Sequence, residues 1–74
     1  MVTIHHFALK IPEEKWLRYY SGEIKTILIV TTAGLTVSIS AHHFRPFTTK
    51  QGLYGFFKLT LDHNNRFLNL EQLV

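Results

Sequence analysis

The segment 35-LTVSISA-41 alternates without a break: Leu35, Val37, Ile39 and Ala41 are apolar, and Thr36, Ser38 and Ser40 carry hydroxyls. Successive side chains of a β-strand point to opposite faces, so a period of two sends one row to a core and the other to water. The chain must therefore build at least one half-buried sheet. Similar strands are expected around it. Residues 2–10 (VTIHHFALK) mix β-branched and aromatic residues, and 24–31 (IKTILIVT) is β-branched and too short for a buried helix. The turn between the two central strands falls at 32-TAG-34. A closing hairpin is expected from 53-LYGFFKLTL-61 and 66-RFLNL-70 joined by 62-DHNN-65, because Asn-Asn tolerates the positive φ of a tight turn.

Only 12-PEEKWLRYYSG-22 reads as a helix. Pro12 suits its first turn, Glu13 and Glu14 its positive end, and Gly22 its left-handed stop. Trp16, Leu17 and Tyr20 mark the side expected to pack. The segment 42-HHFRPFTTKQG-52 reads as a connection, since Pro46 lacks an amide hydrogen and holds Arg45 extended, against a regular helix. Phe44 and Phe47 are expected to pin it to the core. The order is β-α-β-β-β-β, and one helix can cover only one sheet face. The expected fold is α+β: one short helix on a curled, mainly antiparallel five-stranded sheet. At 74 residues the chain has room for one domain, 1–74.

The last hairpin carries the candidate site. With Asn64 and Asn65 as the central turn residues, Leu61 faces Leu68 and Leu59 faces Leu70. Phe57, Leu59, Leu61, Leu68 and Leu70 then share an apolar face, and Tyr54, Phe56, Lys58, Thr60 and Phe67 lie on the other. A loop one residue longer would turn the last strand over and bury Asn69 in place of Leu68. The candidate binding surface is Tyr54, Phe56 and Phe67, with Lys58 and Arg45 at its rim. An apolar centre inside a charged rim is how protein interfaces are built. Aromatics beside a Lys on a strand also suit base stacking, but the RNA-recognition fold needs two helices and a second aromatic motif, and neither is found. Arg45, beside the fixed backbone of Pro46, suits a carboxylate or phosphate; loop carbonyls or the nearby helix are the alternative partners.

Catalytic and metal chemistry have little to stand on. The five histidines include the neighbours His5-His6 and His42-His43, which point apart on a strand, and no zinc-ligand spacing appears. No carboxylate pair is placed against a His, and no phosphate loop is present. No cofactor and no enzymatic activity are expected. With no cysteine and no charged start leading into a long apolar core, a cytoplasmic location is the simplest expectation. The longest apolar run, Ile27 to Val30, is too short to span a bilayer. The net charge is +3, and four basic residues but no acid lie between Glu23 and Asp62, a mild bias compatible with a polyanion.

In combination, 17-LRYYSG-22, 45-RPF-47 and 52-GLYGFFKLTLDHNNRFLNLEQL-73 resemble a family of short bacterial proteins catalogued as domain-of-unknown-function family 2835. The resemblance runs from about Phe7 to Leu73. Its pattern is Leu-Arg-Tyr-Tyr-x-Gly, Leu-Arg-Pro-Phe, Gly-Ile-x-Gly-Arg-Phe and Leu-Asp-x-Asn-Asn, and it implies no activity. The chain departs from it at Ala33-Gly34-Leu35, where Asp-Gly-Arg is typical, and at His42-His43, where Ser-Arg is typical. Phe44 replaces a Leu and Phe56 an Arg. Lost cations weaken a phosphate-binding reading, because electrostatics supplies most non-specific nucleic-acid affinity. The expected role is a non-enzymatic binding or adaptor module acting through a protein contact, self-association included. The alternative is weak single-stranded nucleic-acid binding through the same face.

Overall fold

The computed structural model describes all 74 residues. Its elements are β1 (Thr3–Pro12), α1 (Glu13–Tyr20), β2 (Thr26–Val30), β3 (Thr36–Ser40), a 3-10 helix (Ala41–Phe47), β4 (Gly52–Leu61) and β5 (Phe67–Gln72). The expected α+β class and element order hold. The single five-stranded sheet does not: the strands form a three-stranded sheet in the order β1-β4-β5 and a separate two-stranded sheet, β2-β3. The small hairpin reaches β1 through its turn rather than along an edge, so no ladder of backbone bonds joins the two sheets. β1 and β4 pair along ten residues each, while β2 and β3 are five-residue arms of a tight hairpin. The hairpin meets β1 where the Thr32 amide donates to the His6 carbonyl at 2.8 Å.

Both hairpins use the same turn. The Thr31 amide donates to the Leu35 carbonyl and the Gly34 amide to the Thr31 carbonyl, with Gly34 left-handed at φ 82°. In the second, the Asp62 amide donates to the Arg66 carbonyl and the Asn65 amide to the Asp62 carbonyl, with Asn65 at φ 62°. These are three-residue loops closed by a left-handed third residue, rather than two-residue turns. Each is tied by a side chain: Thr31 Oγ1 accepts from the Leu35 amide, and Asp62 Oδ1 accepts from the amides of Asn64 and Arg66.

The longer loop flips β5, and a bulge flips it back. Leu61 pairs with Phe67, but Thr60 pairs with Asn69 and Leu59 with Leu70, because the register shifts between Thr60 and Leu61. Leu68 is the extra residue, and it is 51% exposed rather than in the core. Phe67 takes the place expected for Leu68.

One apolar core draws on every element. Phe7, Phe44, Leu53, Phe57 and Leu59 are essentially solvent-free, joined by Trp16 from α1 and by Ile27, Ile29 and Ile39 from the small sheet. The Phe57 ring sits 5.6 Å from Phe7, 5.7 Å from Phe44 and 5.7 Å from Phe47. Phe44 and Phe47 thus pin their segment as expected, though it winds as a 3-10 helix with Pro46 inside it. The packing side of α1 differs from expectation. Trp16 is buried with Tyr19 packed 5.8 Å away, while Leu17 and Tyr20 are exposed. Residues three apart share a helix face, and α1 starts directly from the end of β1, which fixes which face meets the core. Leu35 is exposed too, since it belongs to the turn rather than to β3.

Candidate functional site

The five residues singled out in the sequence lie in three places. Tyr54, Phe56 and Lys58 share the outer face of the three-stranded sheet, as expected from their spacing. Across the ladder, Tyr54 pairs with Lys10, Phe56 with Ala8 and Lys58 with His6. Phe56 stacks on His6, 6.0 Å between centroids and 10° between planes, and Tyr54 is 44% exposed. Neither α1 nor the small sheet covers this face. The C-terminal residues run beside it: the Leu73 amide donates to the Phe56 carbonyl, the Phe56 amide to the Val74 carbonyl, and Gln72 Nε2 to the Tyr54 carbonyl.

Phe67 is not part of that face. The bulge turns it to the opposite side, where its ring lies 3.7 Å from that of His43 with 6° between planes. His42 follows at 4.0 Å from His43, and its Nδ1 is 2.9 Å from Ser40 Oγ. Burial, and then the neighbouring His42, push the His43 imidazole below its ordinary range, so the neutral ring is favoured. Arg45 stands apart from both. Its guanidinium lies 4.9 Å from the Tyr20 ring centroid and donates to the Tyr20 carbonyl at 3.4 Å, at the C-terminal end of α1. A cation there complements the negative end of the helix dipole.

The His43–Phe67 stack borders a groove that the sequence reading missed. It is an open cleft of about 560 Å³ between β3 and the β4–β5 hairpin. Val37, Ile39, Leu59 and Leu61 line it with apolar surface, His5 and the β3 hydroxyls add polar groups, and no Asp, Glu, Lys or Arg reaches it. β3 pairs only with β2, and β5 only with β4, so each keeps a free edge. The signal that could have located it was the uncharged strand 36-TVSIS-40, with no Pro or bulge to protect its edge. No three His, Cys, Asp or Glu side chains gather closely enough to hold a metal ion. No helix is long and apolar enough to cross a membrane.

Fold and cleft together define a small α+β protein in which two antiparallel sheets close over one core and leave an uncharged opening between their outer strands. The family model for the protein of unknown function DUF2835 matches residues 4–73, and the chain belongs to that family. No curated protein and no solved structure matches it.

Proposed function

We propose that this protein is a non-enzymatic binding module of the cytoplasm that works through a protein contact, taking an extended polypeptide segment into the groove beside β3. The observation that carries the reading is the free edge of β3. The Thr31–Leu35 and Lys25–Ala41 backbone bonds flank the β2–β3 ladder. Bonded pairs alternate in an antiparallel ladder, so Val37 and Ile39 direct their amides and carbonyls to β2. Thr36, Ser38 and Ser40 direct theirs away from it. An unpaired row of this kind beside an apolar cleft is what strand addition uses: backbone bonds for affinity, and the cleft for alternate side chains.

The test is an amide NMR titration of the full chain with a capped Thr-Val-Thr-Val-Thr peptide. Expected are shifts at Thr36, Ser38, Ser40, His43 and Phe67 that persist when salt is raised. Shifts absent from β3 would refute the reading.

A second reading, weak binding of single-stranded nucleic acid, moves to the outer sheet face. Lys10, Tyr54, Phe56 and Lys58 share it, which sets cations beside rings. Titration with mixed-sequence single-stranded RNA would then shift Tyr54, Phe56 and Lys58, and the shifts would shrink with salt. A silent spectrum at low salt removes this reading.

A further inference from the structure

We infer that the segment taken up by β3 is β3 of a second copy, so that two chains pair antiparallel through Thr36–Ser40 about a two-fold axis at Ser38. This rests on the strand-binding reading above and names its partner. The strand is self-complementary. Read from either end, 36-TVSIS-40 runs hydroxyl, β-branched, hydroxyl, β-branched, hydroxyl. Turned about Ser38, it sets Ser38 opposite Ser38, Thr36 opposite Ser40, and Val37 opposite Ile39 of the second copy. Hydroxyl pairs and β-branched pairs across strands are both favourable, and no charge is present to repel its own image.

The backbone selects the same register. Only Thr36, Ser38 and the amide of Ser40 are free on this edge, the Ser40 carbonyl being taken up as the cap of the 3-10 helix, so these residues must meet one another across the new ladder. Any register shifted by one residue would face them with Val37 or Ile39, whose groups are already bound to β2. Among the allowed registers, only the one centred on Ser38 aligns all five residues. In that register the Val37–Ile39 pairs lie on the side of the apolar cleft, where Val37 is only partly buried. The contact is isologous and closes after two copies, as a two-fold interface requires. It is small, so the dimer is weak and reversible.

Sedimentation of the full chain over about a hundredfold range of concentration tests this. A monomer–dimer equilibrium is expected, with amide shifts on dilution confined to Thr36, Ser38, Ser40 and their surroundings. Ser38→Pro removes an amide that makes no bond within the chain, as edge strands allow. Ser38→Lys sets two like charges face to face on the axis. Each variant should raise the dimer dissociation constant by about tenfold or more. Ser38→Lys should keep the melting temperature of the dilute monomer, which guards against misfolding of the proline variant. A chain monomeric at every concentration, or a dimer indifferent to both substitutions, overturns the inference. Shifts from the Thr-Val peptide in a monomeric chain would leave strand binding standing and refute the second copy alone.

Discussion

A methyl group at position 52 should damage this fold far more than one at position 34, although both glycines have positive φ. Gly34 sits at φ 82° with open space where a Cβ would stand. Gly34→Ala therefore carries only left-handed strain of roughly 1–2 kcal/mol, partly offset by a stiffer unfolded chain. Gly52 sits at φ 117° opposite Pro12, where β4 passes beneath the start of α1. There a Cβ would press on the Ile11 carbonyl oxygen and lie 2.7 Å from both the Glu13 nitrogen and the Pro12 carbonyl carbon. All three are backbone atoms, so no side chain can swing aside and the strands must part. Overpacking adds roughly 1–3 kcal/mol to the strain, for a total of about 2–5 kcal/mol. A domain of this size has only about 4–11 kcal/mol in all. At roughly 4–8 °C per kcal/mol, Gly52→Ala should melt roughly 10 °C or more below the native chain, and Gly34→Ala only a few degrees below. Thermal melts followed by circular dichroism decide it. Equal melting temperatures for the two variants would refute the close approach of β4 to Pro12.

Stability should also fall with acid through His43. Its folded pKa lies below the ordinary 6.5, so above about that pH neither state binds the proton and nothing changes. As pH drops through 6.5 the unfolded chain takes the proton first, and stability declines until the folded pKa is reached. His43→Gln should flatten a small part of that slope in melts between neutral and mildly acidic pH; identical slopes would contradict the partly buried, stacked ring. Arg45→Ala should destabilise by about 1 kcal/mol, the worth of one exposed cation–π contact with its helix-end interaction. Its amide spectrum should change around Tyr20 and leave Tyr54 and Phe56 in place. Shifts at Tyr54 or Phe56 would mean that Arg45 does reach the outer sheet face.

The candidate site was legible only in part, and the last hairpin shows why. Tyr54, Phe56 and Lys58 are two residues apart on a strand that pairs with β1 without interruption for ten residues, so their common face follows from spacing alone. Phe67 lies across a turn. Its side depends on whether the loop holds two residues or three and on whether a bulge follows. The loop gained a residue and the bulge at Leu68 restored the frame, so Leu59 meets Leu70 as the aliphatic pattern requires. Between those two events Phe67 and Leu68 exchanged faces. Arg45 was ambiguous for another reason: its partner, the carbonyl of Tyr20, is 25 residues away.

What the sequence determined by itself was local. Alternation placed the strands, Pro12 and Gly22 bounded the helix, and the apolar rows of β3 and β4 assigned Ile39, Phe57 and Leu59 to the core. Tertiary structure decided the rest: the split into two sheets, the packing of Trp16 with Tyr19, and the cleft beside β3. Periodicity acts between neighbours a few residues apart and is written into the chain. A free strand edge exists only relative to strands far away in sequence, and it appears once the whole core has closed.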